Sequence, residues 1–261
     1  MFKTVKLKIK LIVLCSLLCS IDSLVIADPL VTDRPGASES SAVMAPGLSQ
    51  LEAGIKVFND ADAEKGTEYG GTIFRFGVIE DWELRFGWGG YLDSDSASGG
   101  NDGLLGFKYS IARGEESFNK PEMAAIVQTT VPWGNDNLTS HKFDPNFLLA
   151  STHVLTDEFS LTYNLGLGLA TTEKTNGRHT TQSFGLYTLS LGYSVTERLS
   201  IFTEFYGQVG LSADDSPFLF DCGGAYLINE NSQLDFSAGA GLNSEAEDFF
   251  VGLGYSFRWG M

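Results

Sequence analysis

FSLTYNLGLGLA, residues Phe159–Ala170, decides the fold. Its odd positions carry Phe159, Leu161, Tyr163, Leu165, Leu167 and Leu169, and its even positions carry Ser160, Thr162, Asn164, Gly166, Gly168 and Ala170. That is a period of two, whereas a helix would group apolar residues three and four apart. A half-buried strand in a water-soluble sheet commonly stops after about five or six residues. Alternation sustained for about ten, with small or polar residues on the second face, fits a tilted strand crossing a bilayer.

Similar stretches extend outward in both directions. Twelve strands are predicted: Ser49–Phe58, Gly71–Ile79, Trp82–Tyr91, Leu104–Ile111, Met123–Val131, Asn146–Leu155, Phe159–Ala170, Ser183–Val195, Leu199–Val209, Phe218–Leu227, Gln233–Leu242 and Phe249–Trp259. Their connections alternate in kind. One class is mostly tight, as in Ile79-Glu80-Asp81 and Val195-Thr196-Glu197-Arg198, with a longer member at Ala112–Lys120. The other is longer and rich in acidic residues, Gly or Ser, as in Asn59–Glu68, Pro132–Phe143 and Thr171–Gln182. Short turns on one side and long loops on the other predict an all-β fold, a transmembrane antiparallel up-and-down β-barrel of about twelve strands. Trp82, Phe159 and Trp259 fall near the short-turn rim, and Trp88, Tyr91 and Phe249 near the opposite one, as interfacial aromatics should. A soluble sandwich or closed barrel also alternates, but it would have to cover this many apolar side chains with too little interior.

The chain opens with Lys3, Lys6, Lys8 and Lys10, an apolar run from Leu11 to Leu18, and Val25 and Ala27 before a cut. Residues 1–27 are therefore read as a cleaved Sec signal peptide, 28–47 as an arm or plug rich in Ser, Ala, Pro and Gly, and 48–261 as the barrel. Cys19 lacks the small preceding residue that lipid modification requires, so a lipoprotein is disfavoured. Without the signal, 13 Lys and Arg stand against 32 Asp and Glu, a formal charge of −19 that argues against nucleic acid as a partner. Cys222 is then the one remaining cysteine, so no intrachain disulfide forms, and it is read as a small strand filler.

If lipid takes the apolar face, the alternate residues line the lumen. The basic candidates are Lys56, Arg75, Arg85, Lys108 and Arg258; the acidic ones are Glu52, Glu83, Glu122, Glu204, Asp221 and Asp235. Cations on one wall and carboxylates opposite would make a transverse field acting on a polar solute. The alternative is that these charges pair with one another, or with Asp28, Asp33 and Glu39 of a docked arm. Within the arm, Thr32, Asp33, Arg34 and Pro35 are expected to fold inward and narrow the passage. No catalytic residue, metal site or cofactor is assigned. Ser151 and His153 share a strand face but lie toward the short-turn side, and His141 and His179 sit in outer loops. The outer-loop acids Asp60, Asp62, Glu64, Asp93 and Asp95 lack the spacing of a defined calcium site.

The segment Pro29-Leu30-Val31-Thr32-Asp33-Arg34-Pro35 is followed by Glu39-Ser40 and by Pro46-Gly47-x-x-Gln50-Leu51-Glu52-Ala53-Gly54. Together with Val195–Ser200, Gln233-Leu234-Asp235 and Phe250–Arg258, it resembles a family of bacterial outer-membrane proteins assigned to transport in the meta-pathway of phenol degradation. The resemblance covers nearly the whole exported chain. It implies a channel for passive uptake of small, aromatic or hydrophobic solutes in the outer membrane of a Gram-negative bacterium. The partners expected are outer-membrane lipids, a small-molecule solute, and the barrel assembly machinery during insertion. Two readings stand beside it: a non-transporting structural or surface barrel, and a lipid-modifying enzyme.

Overall fold

A computed structural model describes residues 30–59, 65–115, 119–173, 177–212 and 216–260. The proposed signal peptide, Asp28, and the loop acids Asp60, Asp62 and Glu64 lie outside these residues. Among the described residues fourteen strands are formed: β1 (Leu48–Asn59), β2 (Lys65–Ile79), β3 (Trp82–Trp88), β4 (Tyr91–Ser94), β5 (Ser98–Gly100), β6 (Gly103–Arg113), β7 (Glu122–Val131), β8 (Pro145–Val154), β9 (Phe159–Glu173), β10 (His179–Ser194), β11 (Leu199–Gly210), β12 (Phe218–Asn229), β13 (Ser232–Gly241) and β14 (Phe249–Gly260). Twelve of them close into one antiparallel barrel, because β1 pairs with β14 on one side and β2 on the other. Full closure removes the sheet edges, the condition for a sheet to sit in lipid.

β4 and β5 are the two extra strands, a small hairpin continuing the upper half of β2. The predicted third strand, Trp82–Tyr91, is interrupted at Gly89-Gly90, where Gly90 takes φ +83. The chain turns there, and pairing with β2 resumes at Tyr91. Period-two alternation cannot show such a break, because both halves keep their phase. β2, β9 and β10 also run several residues past their predicted outer ends, to Lys65, Glu173 and His179.

The distribution of polarity is inverted relative to a water-soluble core. Arg75, Arg85 and Lys108 are the largest fully buried side chains, while Leu167 is 60% exposed and Leu253 63%. In water that arrangement would be unstable, since so broad an exposed apolar surface would drive association. Lipid makes it sensible: the Leu, Val and Phe side chains face hydrocarbon and the charges face inward. Strand β14 shows the alternation, with Phe249, Val251, Leu253 and Tyr255 outside and Phe250, Ser256 and Arg258 buried inside. At the short-turn rim aromatic rings pack in neighbouring pairs, Trp82 with Tyr109 and Phe159 with Tyr193, both at 4.7 Å. Cys222 is on the outer face and exposed, one more small residue of the lipid-facing surface.

Candidate functional site

Residues 30–47 contain no strand; they run inside the barrel and join β1 through a turn at Ala45–Leu48. The arm is fastened to two facing walls. β2, β3 and β6 carry the basic wall because their inward positions hold Arg75, Arg85 and Lys108 in register: Arg75 opposes Arg85, and Lys108 opposes Glu83. Three like charges so close need counter-charges, since breaking a buried pair costs about 3–5 kcal/mol. They are supplied. Arg75 binds Glu83 through Nε at 2.8 Å and Nη2 at 2.9 Å, and Glu52 through Nη1 at 3.2 Å. Asp33 of the arm meets Arg85 at 3.0 Å, Lys108 at 3.1 Å and Arg75 at 3.3 Å. Glu39 meets Arg85 at 2.6 Å.

Asp33 Oδ1 also accepts from Ser40 N at 2.9 Å and Ser40 Oγ at 2.7 Å, closing the arm into a loop from 33 to 40. Burial by itself would raise the Asp33 carboxyl, but Arg75, Lys108 and Arg85 outweigh it and hold the group well below the usual carboxylate range. Glu39 goes the other way: burial raises it, and Arg85 offsets this only in part.

The acidic wall lies on β11, β12 and β13, where Glu204 stands opposite Asp221 and Asp235 is two positions further along the inward face from Ser237. Here the arm presents positive groups. Arg34 Nη2 reaches Asp235 at 3.1 Å, and Glu204 accepts from the backbone N–H of Ala37 at 2.6 Å and Ser38 at 2.8 Å. The Arg34 guanidinium lies flat over Gly54 and Gly254, which pair directly across β1 and β14; a Cβ at either glycine would collide with it. Only glycine lets the side chain approach the wall so closely. Asn164 of β9 accepts from Glu39 N at 2.7 Å and donates to Glu39 O at 3.0 Å. Glu52 Oε2 accepts from the N–H groups of both Asp33 and Arg34, at 3.0 and 3.1 Å. Gln233 donates to Thr32 Oγ1 at 3.0 Å, and Gln50 to Val31 O at 2.9 Å.

The remaining sequence candidates are spread through the interior. Lys56 sits at the outer mouth, paired with Glu247 at 2.6 Å and placed 4.9 Å over the Phe250 ring. Arg258 lies at the short-turn end and donates to Glu230 O at 3.1 Å. Glu122 accepts from Ser41 Oγ at 2.8 Å, and Asp221 Oδ1 is buried without a hydrogen-bond partner. Gln50, Asn164, Gln233, Gly54 and Gly254 were not singled out by chemistry in the sequence. Asn164 carried a signal nonetheless, as the one amide among the small inward positions of Phe159–Ala170.

Two of the cavities that border the arm meet at Arg34-Pro35. One of about 380 Å³ opens on the short-turn side and includes Thr162, Ser190, Phe202, Glu204 and Glu122 in its wall. One of about 150 Å³ lies on the long-loop side, between Lys56, Glu68 and Phe250. Arg34 and Pro35 border both, so these two residues form the partition between them. Ser151 and His153 are elsewhere. They oppose Tyr163 and Leu161 on the outward face, Ser151 Oγ has no hydrogen-bond partner, and His153 stacks on Tyr163 at 5.6 Å. A serine nucleophile would need its base within hydrogen-bond reach.

A closed barrel with a greasy exterior and a charged, paired interior is a transmembrane β-barrel of the outer-membrane type. A family model described as "Putative MetA-pathway of phenol degradation" matches residues 32–259, and the chain belongs to that family. Among solved structures it is similar to the porin NanC, at 8% identity and a TM-score of 0.55, over 80% of this chain and 98% of that one. It is also similar to the β domain of the Bordetella autotransporter BrkA, at 11% identity and TM-score 0.47, over 80% and 98% of the two chains. The Pseudomonas putida toluene transporter TodX aligns at 11% identity and TM-score 0.39, over 82% and 89%. A search of curated proteins gives no match.

Proposed function

We propose that this protein is an outer-membrane channel for small solutes, narrowed by its own N-terminal arm. The observation that carries the reading is the pair of cavities on either side of Arg34-Pro35, one facing each end of the barrel. A twelve-stranded barrel has room for a narrow passage beside a folded segment, though not for a wide pore. The family description favours small aromatic solutes, and the outer mouth offers them an apolar cluster of Phe58, Tyr206, Leu219, Ala246 and Phe250. Export through residues 1–27 and insertion by the barrel assembly machinery belong to the same reading.

A second reading draws on the arm's fastenings. Asp33, bound to three cations, favours a permanently closed barrel with a structural or surface role. Liposome swelling separates the two. Proteoliposomes of the full-length exported chain, challenged with phenols, aromatic acids, sugars and amino acids, should swell in a solute-dependent manner. Swelling rates equal to those of protein-free vesicles for every solute would reject the channel.

A further inference from the structure

We infer that the arm's own charges set the ion preference of the lumen: Asp33 and Glu39 cancel the basic wall so that cations are favoured over anions, and Arg34 opposes that preference. The inference rests on the channel reading and adds to it the class of solute that passes.

The argument is a count of charges by position. With the arm docked, Arg75, Arg85 and Lys108 are enclosed with Asp33, Glu39, Glu52 and Glu83. Three cations against four carboxylates leave this girdle with a single net negative charge. Without the two arm carboxylates, the same three cations face only Glu52 and Glu83, and the girdle becomes positive by one. The wall opposite also carries an excess of carboxylates. Arg34 is ion-paired with Asp235 alone, Glu204 is met by backbone N–H groups of the arm, and none of Glu204, Asp221 and Glu122 has a cation in ion-pair contact among the described residues. Lys56 is already bound to Glu247 at the outer mouth, and Arg258, which borders a further cavity with Glu122 at the short-turn end, is one cation against several carboxylates. An ion in the larger cavity therefore meets Glu122 and Glu204 in its wall, with the three wall cations fully buried behind the arm. Fixed charge in a narrow, low-dielectric conduit focuses the field on whatever passes.

The test uses the full-length exported chain in planar bilayers, with reversal potentials read across a potassium chloride gradient. Wild type should be cation-selective. Asp33→Asn with Glu39→Gln should move the reversal potential toward the chloride value and lower the cation-to-anion permeability ratio severalfold. At the girdle that change in fixed charge is the same whether the neutralised arm stays docked or swings out; an arm that swings out also takes Arg34 from the opposite wall, which makes the shift smaller without reversing it. Arg34→Gln should move the potential the other way. Loosening of the arm alone would raise conductance in both variants, and would not displace their selectivities in opposite directions. Both displacements should shrink in molar salt, where the Debye length falls to about 3 Å. If the double variant does not fold, as judged by its heat-modifiable mobility on gels, Glu39→Gln alone should give a smaller shift of the same sign. Steady conductance with reversal potentials unchanged across the variants would overturn this inference and leave the channel standing. Absence of conductance in all of them would overturn both.

Discussion

The two walls of the lumen hold the same arm by different means. On the β2–β3–β6 wall the arm's Asp33 is 6% exposed at its side chain and sits among three cations that are themselves fully buried, of which Arg75 also reaches Glu52 and Glu83, and Arg85 also reaches Glu83. On the β11–β13 wall Arg34 keeps 25% of its side chain exposed, is paired with the single carboxylate Asp235, and borders a cavity on either side. The first wall is therefore an anchor, whose charges cannot be separated without leaving one of them buried and alone. The second is a looser rest, where solvent already reaches the Arg34 guanidinium although Asp235 itself is buried. The difference assigns movement, if the arm moves, to the Arg34 side.

Arg75→Met should have the largest effect. It leaves Glu83, Glu52 and Asp33 short of their shared cation and should cost about 3–5 kcal/mol of barrel stability, read as a lower urea midpoint in lipid vesicles. Arg75→Lys should restore only part of this, because lysine cannot reproduce the two bonds that the guanidinium makes to Glu83. Asp235→Asn, on the opposite wall, should change barrel stability by about 1 kcal/mol or less. It should nevertheless make the arm more accessible to protease from the Arg34 end. Equal stability losses in Arg75→Met and Asp235→Asn would break the distinction between anchor and rest.

Gly254→Val sharpens the comparison further. A β-branched residue suits the strand, so stability should hold within about 1 kcal/mol, while the Arg34 guanidinium loses its seat. Single-channel conductance should change although the anchor is intact; an unchanged conductance would mean that the seat does not control the passage.

The smallest effect is one of pH. Because the docked Asp33 pKa is lowered, its contribution to docking is complete above the ordinary carboxylate range and is lost only as pH falls through the lower docked value. Glu39, raised by burial, has the opposite sign: protonation favours its docked state, so acidification toward its raised pKa does not loosen the arm. The protease protection that distinguishes wild type from Asp33→Asn should accordingly persist at about pH 4, near the ordinary aspartate value. Its disappearance between pH 6 and 5, on the order of the window where a raised acid titrates, would show that Asp33 is not held as described.

Much of the barrel was legible because lipid imposes one simple rule on every strand. Phe249-Val251-Leu253-Tyr255 had to face outward, so Phe250, Ser256 and Arg258 had to face inward, and no tertiary knowledge was needed. Strand β8 resisted the same logic, since Phe147 and Leu149 alternate with Leu148 and Ala150 and both faces are apolar. Pairing with β9 resolves it. Leu149 opposes Leu165 on the outside, while Leu148 and Ala150 pack inward with Ile126 and Leu186. The break at Gly89-Gly90 was hidden for another reason, because a hairpin that continues the pairing of its neighbour leaves the alternation undisturbed.

By itself, then, the sequence determined which side chains meet lipid and which meet the interior, because that choice is local and repeats every second residue. It also offered two accounts of the interior charges, a transverse field and a docked arm. What only the tertiary structure decided is how those charges are matched. Asp33 and Arg34 are neighbours in the chain, yet one is held by β2, β3 and β6 and the other by β13 and the glycines of β1 and β14. Such matching depends on strands nearly the whole chain apart, brought face to face only when the barrel closes, and no periodicity along the chain records it.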